Sequence, residues 1–406
     1  MIAQLVRIKS HGGTELCERV AYQPSPLTGA QNIHIMVEKV VEKSNLSNSP
    51  SDPLFALGRA ILFELDPEKA HDLALKMLSL TPIRHLVANR YATSAGNTAA
   101  FGMHFENRIG LAAGLDKNAD YIDALGAMGF GHIEVGTVTP KPQAGNPKPR
   151  LFRVHPHNAL INRMGFNNKG VDHLVAQVQK RQYKGRLGIN IGKNATTPLN
   201  NAVDDYLHCL KRVYVHADYI TVNISSPNTK GLRDLQHGDA LKTLLGELKE
   251  AQSKLATTHA RQVPIAVKIA PDMSDEELDD FCAQIVTFEI EALICGNTTN
   301  TREPVRNHIY AREAGGLSGK PLLELANNRL EAVCERLNSK TLVIGAGGVS
   351  CGQDAAVKHK LGAELVQLYS GLIFHGPALV RDCINATSAA NPVAGNGVEI
   401  APSNPQ

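Results

Sequence analysis

Eight short apolar runs constrain the fold of this chain more strongly than any other feature of the sequence. Each run is continuous rather than alternating, which is typical of β-strands that are buried on both faces. Helical stretches lie between several of them. The runs cover residues 109–113, 133–136, 187–191, 219–223, 265–269, 292–295, 342–345 and 365–369. Eight such units predict an α/β fold of the (β/α)8 TIM-barrel type, with an open doubly wound sheet as the alternative.

The composition is that of an ordinary globular enzyme. The chain has 406 residues, of which 43% are hydrophobic and 20% charged. These values exclude a disordered chain, a collagen and a polytopic membrane protein. The net charge of +3 gives no indication of a nucleic-acid partner. Seven scattered cysteines without a CxxC pair argue against a zinc site or a disulfide framework and favour a reducing compartment.

The sequence divides into five segments. We expect residues 1–52 to form a disordered N-terminal extension and residues 385–406 a disordered tail, because both lack periodic apolar patterning. Residues 53–82 contain two apolar helices that begin at Asp52-Pro53 and Asp66-Pro67, each with an acidic N-cap. This helical hairpin either packs on the main domain or lies in a membrane interface. Residues 83–106 are a connector to a barrel over 107–384.

Polar and glycine residues follow most of the predicted strands. Asp116 and Lys117 follow strand one, Asn190 ends strand three, and Lys268 lies in strand five. Because the active site of such barrels lies at the carboxyl ends of the strands, these residues predict its position. A single polar residue at a strand end is usually a satisfied cap, but six of eight strands share this feature.

Glycine clusters follow the last two strands, at residues 345–348 and at Ser370-Gly371. Backbone N–H groups at these positions bind phosphate in many barrels, although tight turns have the same composition. Gly345-x-Gly347-x-x-Ser350, with Glu364 downstream, also resembles a weak dinucleotide-binding pattern. The chain after Glu364 is too short to complete a doubly wound sheet, so we favour a phosphate site.

The chemistry of the strand-end lysines stays open at this level. A buried lysine could form a Schiff base, or it could hold positive charge against an anionic substrate or a reduced flavin. The many asparagines suit a planar ring with alternating donors and acceptors. His155 and His157 do not have the spacing of a metal motif, and we expect no metal.

Several long motifs resemble those of dihydroorotate dehydrogenases. In chain order they are GLAAGLDK (110–117), residues 126–153, LINRMGFNN (160–168), LGINIGKN (187–194), NISSPNTKGLR (223–233), PIAVKIAPD (264–272), GGLSGKPL (315–322) and GAGGV (345–349). The resemblance covers residues 53–384. It implies an FMN enzyme that oxidises (S)-dihydroorotate to orotate in pyrimidine (UMP) biosynthesis. Ser226, where another class of the family has cysteine, and the helical hairpin are similar to the class that reduces a membrane quinone.

The resemblance also implies roles for individual residues. Ser226 would take the C5 proton of dihydroorotate while C6 delivers a hydride to flavin N5. The substrate residues would be Lys117, Asn162, Arg163, Met164, Gly165, Phe166, Asn223, Asn228, Asn297 and Thr298. The FMN residues would be Ala112, Ala113, Gly114, Thr137, Asn190, Asn223, Lys268, Gly296, Gly319, Gly348, Tyr369 and Ser370. His71 and Arg153 would contact the quinone head, with Tyr369 at the border of its site.

We therefore expect a bacterial protein bound peripherally to the cytoplasmic face of the plasma membrane, as a monomer or weak homo-oligomer and without a nucleic-acid partner. Two positions depart from the family pattern: Gly296 stands where a threonine is common, and Arg108 replaces a small residue or proline before strand one. The alternatives are another FMN barrel, such as a cysteine-class enzyme or a tRNA dihydrouridine synthase, a lysine Schiff-base lyase, and a non-catalytic membrane-associated binding protein.

Overall fold

A computed structural model describes residues 52–91, 93, 96–337 and 341–388 of the chain. The expected disorder of residues 1–51 and 389–406 therefore lies outside the described residues. The disordered tail was predicted to begin at residue 385, but residues 385–388 belong to the last helix, which ends at Ser388. Thr387, near the end of that helix, is buried and donates to the Cys383 carbonyl, so packing extends the helix beyond the predicted boundary.

Eight parallel strands form a closed barrel, which confirms the predicted (β/α)8 fold and excludes the open sheet. Their side chains are almost entirely buried, which explains the continuous apolar runs. In the order in which they pair, the strands are β10 (Ala292–Cys295), β12 (Leu342–Ala346), β13 (Leu365–Leu368), β3 (Ile109–Leu111), β4 (His132–Val138), β7 (Arg186–Ile191), β8 (Tyr219–Asn223) and β9 (Ile265–Ile269), which returns to β10.

Helices cover the outside of the barrel with one apolar face each. Helix α8 (Asp275–Thr287), for example, begins with a capping box between Ser274 and Glu277 and buries Leu278, Phe281 and Ile285. The helices after the first barrel strand are α4 (Ile122–Gly126), α5 (Val171–Val178), α6 (Ala202–Val213), α7 (Gly238–His259), α8 (Asp275–Thr287), α9 (Leu323–Leu337), α10 (Gly352–Lys360), α11 (Ser370–His375) and α12 (Pro377–Ser388).

A small antiparallel sheet lies next to the carboxyl ends of the barrel strands. It consists of β5 (Leu151–Val154), β6 (Ala159–Asn162) and β11 (Gly316–Gly319), in the order β11-β6-β5. The register pairs Asn162 with Gly316, so that loops distant in sequence meet at the same place. This sheet brings residues from two excursions of the chain to the predicted site.

Three helices precede the barrel: α1 (Pro53–Phe63), α2 (Pro67–Ser79) and α3 (Thr81–Tyr91). The Asp66 carboxylate accepts from the N–H groups of Glu68 and Lys69, as the N-cap prediction requires. The third helix occupies part of the predicted connector. The predicted hairpin ended at residue 82, but α3 begins at Thr81, and Pro82 lies in its first turn, where a proline N–H is not needed. Within the described ranges, none of the helices is long and apolar enough to cross a bilayer.

A hairpin of β1 (Thr98–Ala100) and β2 (Met103–Phe105) completes the connector near the amino ends of the barrel strands. Phe101 from its turn stacks on Tyr219, at 5.4 Å between ring centroids. His132, the first residue of β4, is fully buried here, and neither ring nitrogen has a hydrogen-bond partner in the described part of the chain. Burial lowers the pKa of His132 to about 3, so the ring is neutral at pH 7.

Candidate active site

One cavity at the carboxyl ends of the strands brings most of the predicted site residues together. It is lined from seven of the eight strands or the loops that follow them, β7 being the exception. The predicted residues on its wall are Ala112, Ala113, Gly114, Lys117, Thr137, Asn162, Met164, Gly165, Phe166, Asn223, Ser226, Asn228, Lys268, Gly296, Asn297, Thr298, Gly319, Gly348, Tyr369 and Ser370. Two groups of lining residues differ in chemistry: asparagines, which carry amides, and glycines, which present only backbone.

Two predicted residues, Arg163 and Asn190, do not line the cavity. The guanidinium of Arg163 donates to Glu313 at 2.6 Å and to the Pro149 carbonyl at 2.9 Å, and it lies over the ring of Phe152. Its side chain therefore holds the small sheet and its loops rather than a ligand. Asn190 is fully buried behind Thr137, from whose hydroxyl it accepts a hydrogen bond, and can influence the cavity only through that contact.

Ser226 lies in the loop after β8 and is 6% exposed. Its Oγ accepts from the Asn228 N–H at 3.2 Å. Within the described ranges, no imidazole or carboxylate is hydrogen-bonded to this hydroxyl. The serine is therefore not activated as in a Ser-His-Asp triad, and its reactivity must come from its position beside a bound ligand.

The asparagines are held by hydrogen bonds to one another and to hydroxyls. The Asn228 side chain donates to Asn162 Oδ1 at 3.2 Å, and the Asn297 side chain donates to the Ser225 hydroxyl at 2.8 Å. Asn223 donates to Thr137 at 2.9 Å. These bonds fix each amide plane and leave a limited set of donors and acceptors for a ligand.

Two lysines differ in their surroundings. Lys117 donates to the Gly114 carbonyl at 2.7 Å, and burial together with the positive charge of Arg150 lowers its pKa to about 8. Burial also lowers the pKa of Lys268, while the charge of Glu134 opposes that shift. Within the described ranges the Lys268 ammonium has no protein acceptor at hydrogen-bond distance. It is a buried cation that faces the cavity and is available to an anionic or electron-rich ligand.

Two glycines of the cavity wall lie where the backbone packs closely on itself. Gly319 and Gly348 have positive φ angles of 99° and 81°, and a Cβ at Gly348 would overlap the backbone of Leu323. The hydroxyl of Ser370 donates to that of Ser318 at 2.8 Å beside them. Glycine backbone and hydroxyls at the ends of the last strands are typical of phosphate sites in barrels, and the predicted phosphate site stays a prediction.

Sequence reasoning missed four polar residues in or behind the cavity wall: Glu134, Ser225, Ser318 and Gln367. Glu134 and Gln367 lie inside fully buried strands, β4 and β13. The signal that could have found them is a charged or amide side chain within an otherwise apolar strand, where it has no packing value. Gly296 also has a structural explanation, since a Cβ at its φ of 130° would overlap the Ala346 carbonyl.

The dinucleotide pattern is wrong for this fold. Glu364 precedes β13 and forms an ion pair with Arg108 at 3.2 Å, beside the amino ends of the strands. The glycines after β12 lie at the opposite ends of the strands. Arg108, which departs from the expected residue type, thus pairs with the acid of the supposed fingerprint and links the starts of two neighbouring strands.

A second cavity, of about 650 Å³, lies between helices α1–α3 and the barrel. Most of its wall is aliphatic or aromatic, with Leu62, Phe63, Leu75, Leu78, Ile83, Leu86, Val87, Leu115, Met128 and Leu372 among the lining residues. Four residues belong to the walls of both cavities: Lys117, Asn162, Met164 and Tyr369. The two cavities are therefore neighbours, separated by a thin layer of side chains.

His71 and Arg153 both line this second cavity. Burial and the charge of Lys117 lower the pKa of His71 to about 4, so the ring is neutral at pH 7 and can donate one hydrogen bond and accept another. Arg153 donates to the carbonyls of Phe63 and Leu65 at 2.9 and 2.8 Å. Much of its hydrogen-bonding capacity therefore goes to the end of α1.

The fold and the site define a barrel enzyme with a polar, glycine-edged cavity at the carboxyl ends of its strands. The profile of the family described as dihydroorotate dehydrogenase matches residues 96–389. A dihydroorotate dehydrogenase (quinone) of Psychrobacter sp. (strain PRwf-1) is 52% identical over 335 residues, which are 82% of this chain and 97% of that protein. The namesake in Saccharophagus degradans is 52% identical over 340 residues, covering 83% and 100% of the two chains.

Solved structures agree with this result. The crystal structure of dihydroorotate dehydrogenase from Eimeria tenella in complex with ferulenol superposes with a TM-score of 0.70 at 36% identity, over 79% of this chain and 90% of that one. The ligand-free type from the same organism gives a TM-score of 0.69, over 77% and 93%. The chain belongs to the dihydroorotate dehydrogenase family.

Proposed function

We propose that this protein oxidises (S)-dihydroorotate to orotate in pyrimidine biosynthesis and passes the electrons to a quinone. The observation that carries the proposal is the pair of adjoining cavities, one polar and one apolar, with Lys117, Asn162, Met164 and Tyr369 in their common wall. A polar heterocyclic acid suits the first cavity and a quinone with an apolar tail suits the second.

FMN is the cofactor that fits the polar cavity best. The buried Lys268 ammonium, which has no acceptor in the described chain, would face the electron-rich part of the flavin ring. The backbone at Gly319 and Gly348 and the hydroxyl of Ser370 would hold the phosphate. Ala112, Ala113, Gly114 and Thr137 would line the ring, supported from behind by Asn190. When bound, FMN supplies a two-electron acceptor for the hydride of the substrate.

Ser226 is the residue that we propose to accept the C5 proton of dihydroorotate, at its Oγ, while its own hydroxyl proton passes to a water molecule. A serine hydroxyl is a weak base, and no base is hydrogen-bonded to it within the described ranges. Its contribution therefore depends on holding Oγ close to the substrate, with the Asn228 N–H fixing the oxygen from the other side. The low exposure of Ser226 keeps water from competing for the same position.

The ring and carboxylate of the substrate would be bound by amides and one cation. Asn223, Asn228, Asn162 and Asn297 offer both donors and acceptors, as an orotate ring requires. Lys117 would bind the carboxylate, and Met164–Phe166 and Thr298 would close the remaining wall. Arg163 has its donors committed to Glu313 and Pro149, so we assign it no contact with the substrate.

The apolar cavity would admit the quinone. His71, which is neutral at pH 7, is the polar side chain that we assign to a quinone oxygen. Its single N–H interacts with the Leu115 backbone and would have to turn to the quinone when the quinone binds. Arg153 would contribute through its position at the cavity wall, with most of its donors on the α1 carbonyls. Tyr369 borders both ligands.

The exposed apolar side chains support peripheral binding to a membrane. Of the nine large hydrophobic side chains that are exposed in the described part of the chain, seven lie on or between α1–α3. They are Leu57, Ile61, Leu65, Leu73, Met77, Leu80 and Leu86. A surface of this kind fits the boundary of a bilayer, and it surrounds the cavity that would receive the quinone. We propose the cytoplasmic face of a bacterial plasma membrane as its place.

The visible spectrum of the full chain tests this function. Purified protein would be reduced anaerobically with dihydroorotate and then mixed with a ubiquinone analogue, fumarate or NAD⁺ in separate cuvettes. We expect a flavin band that bleaches with dihydroorotate and returns with the quinone alone. Return with fumarate or NAD⁺ would overturn the acceptor, and a protein that cannot be loaded with FMN would overturn the chemistry.

A further inference from the structure

The side chain of Arg233 ties together the three loops that follow β8, β9 and β10. Its guanidinium donates through Nε to the Ser225 carbonyl at 3.0 Å and through Nη2 to the Thr298 carbonyl at 3.2 Å. Nη1 donates to a carboxylate oxygen of Asp272 at 2.8 Å. All three nitrogens of the guanidinium are thus engaged, and each has its partner on a different loop. The planar fork of an arginine holds such partners in a fixed geometry.

The backbone of Arg233 is itself held in place. Arg233 lies in the short 3₁₀ helix Leu232–Gln236, in which Leu232 and Gln236 are buried. The Gln236 side chain donates to the Arg233 carbonyl at 3.4 Å and accepts from the Ala270 N–H at 3.1 Å. These contacts join the arginine to the end of β9, so its side chain extends from a defined position.

Asp272 completes this attachment. Its carboxylate accepts from the Thr299 hydroxyl and from the Asn300 N–H, the latter at 3.2 Å, as well as from Arg233. The side chains of Arg233 and Asp272 are 20% and 23% exposed. The ion pair is therefore partly shielded from water, which strengthens its charge-assisted hydrogen bond.

The two carbonyls that Arg233 holds belong to residues that orient the amides of the polar cavity. The Ser225 N–H donates to the Asn223 side-chain oxygen at 3.2 Å, and the Thr298 N–H donates to the Asn297 side-chain oxygen at 2.8 Å. Asn223 and Asn297 both line the cavity. A shift of either backbone segment would therefore move a hydrogen-bond donor and an acceptor of the cavity wall.

One of these carbonyls also adjoins the residue that would accept the substrate proton. The Ser225 carbonyl belongs to the planar peptide unit between Ser225 and Ser226. Holding its oxygen therefore restrains the direction in which the Ser226 side chain leaves the backbone. In the described part of the chain, Arg233 is not among the residues of the cavity wall. Its influence on a ligand must pass through the backbone that it holds or through its charge.

We propose that Arg233 is a positioning residue for the oxidation of dihydroorotate, which holds the Ser226 loop and the Asn297 loop in one arrangement through their backbone carbonyls. This inference rests on the proposed function, since it assumes that Ser226 accepts the proton of the substrate. The geometry of the guanidinium is the essential feature, and its positive charge is secondary.

Two substitutions separate geometry from charge. Arg233→Lys keeps the positive charge, but one ammonium group cannot replace the fork that spans three loops. Arg233→Ala removes both features and leaves a partly exposed space that a free guanidinium ion can enter. Arg336→Ala is the matched control. The Arg336 side chain is 23% exposed and pairs with Asp279 at 2.6 Å, on α9 and outside the described walls of both cavities.

The measurement is anaerobic stopped-flow absorbance of flavin reduction by saturating dihydroorotate, with the rate constant taken per bound flavin. We expect both Arg233 variants to be slower than the parent by about 30- to 100-fold, because a displacement of about 1 Å can cost about 10²-fold. Arg336→Ala should keep the parent rate. A rate within threefold of the parent in Arg233→Lys would show that charge matters instead and would overturn the proposal.

Rescue distinguishes positioning from a general structural defect. Guanidinium chloride, below its denaturing range, should accelerate Arg233→Ala at least about fivefold over sodium chloride of the same ionic strength. It should leave Arg233→Lys unchanged, because the lysine side chain occupies the space. Equal rates of Arg233→Ala in the two salts would contradict the proposal.

Two further outcomes keep the test decisive. If Arg233→Ala does not fold, orotate binding by Arg233→Lys gives a second measurement, and we expect it to be weakened about tenfold because both amides shift. Orotate binding and flavin reduction both within threefold of the parent in that variant would overturn the proposal. Failure of the parent protein to reduce its flavin with dihydroorotate would instead refute the proposed function.

Discussion

The two cavities of this protein follow opposite physical rules. In the polar cavity, asparagine and hydroxyl side chains are hydrogen-bonded to one another, as Asn297 is to Ser225 and Asn223 is to Thr137. The wall of the second cavity is mostly aliphatic and aromatic, although charged side chains such as Arg153 and Asp120 also border it, and the outer faces of its helices expose apolar side chains. Four residues are common to both walls.

This difference shows how one chain can accommodate two unlike substrates. Orientation of a polar ring requires fixed donors and acceptors, which a closed barrel of buried strands can hold in place. Admission of an apolar molecule requires a space of suitable shape with a largely apolar wall, which a few short helices can provide. If the two cavities bind different substrates, a substitution that affects one cavity should leave the reaction in the other unchanged.

Ser226→Ala should give the largest effect. Loss of the proton acceptor at Oγ should slow flavin reduction by dihydroorotate by about 10²–10⁴-fold, measured anaerobically by stopped-flow absorbance. Orotate should still bind, since the amides that hold the ring are unchanged. Ser274→Ala, at the exposed start of α8, is the control and should leave the rate unchanged. A reduction rate within threefold of the parent in Ser226→Ala would remove this serine from the mechanism.

Charges on the outer faces of the helices should affect membrane association and leave the barrel chemistry intact. Ile61→Glu combined with Leu80→Glu should lower the affinity for anionic phospholipid vesicles by about 30-fold, because both changes remove apolar surface and add repulsion. Ile309→Glu is the matched control, since Ile309 is 81% exposed on the barrel. Sedimentation with vesicles would measure both, and equal losses would refute a specific membrane surface on α1–α3.

Lys117 should give substrate turnover an alkaline limit. Its pKa of about 8 in the free enzyme means that it loses its proton as the pH rises through that value. Because the charged form would bind the substrate carboxylate, kcat/KM for dihydroorotate should fall about tenfold per pH unit above pH 8. Lys117→Arg should shift this limit upward, since an arginine stays protonated. An unchanged pH profile in that variant would assign the limit to another group.

Two buried side chains near the start of β4, Glu134 and His132, differ in how many hydrogen bonds they form, and the pH dependence of stability tests that contrast. Glu134 has four donors, whereas His132, two residues earlier, has no partner in the described chain. The pKa of His132 is about 3 in the folded protein, below its ordinary value of 6.5. The unfolded chain therefore binds the extra proton as the pH falls below 6.5, and stability declines toward pH 3.

His132→Leu should remove this acid sensitivity. Between pH 7 and pH 5 the parent protein should lose about 2 kcal/mol of its free energy of unfolding through His132. The leucine variant should lack this contribution. Urea unfolding of both proteins at the two pH values would measure the difference. A parallel decline in both would show that His132 is not the group responsible.

Much of the barrel could be predicted from the sequence, because burial on both faces produces apolar runs that mark each strand. The polar cavity could be predicted from a different signal, because polar residues at strand ends have no packing value and therefore mark a site. Helix α3 was missed because the hairpin was predicted to end at residue 82, whereas the helical segment continues to Tyr91, which is buried. The orientation of Arg163 and the donors around Glu134 depend on contacts between segments that are distant in sequence, which no local pattern encodes.

Gly58 offers the most direct test that the second cavity serves the quinone alone. It lies on α1 at the cavity wall, and a Cβ there would meet no atom within 4 Å. Gly58→Phe should fill part of the cavity without strain, and Gly58→Ala is the control that changes helix propensity only.

The measurement is anaerobic stopped-flow absorbance of both half-reactions, first with dihydroorotate and then with a ubiquinone analogue. We expect Gly58→Phe to reduce its flavin at the rate of Gly58→Ala and to be reoxidised at least about tenfold more slowly. Equal reoxidation rates in the two variants, or a loss confined to flavin reduction, would contradict the division of labour between the two cavities.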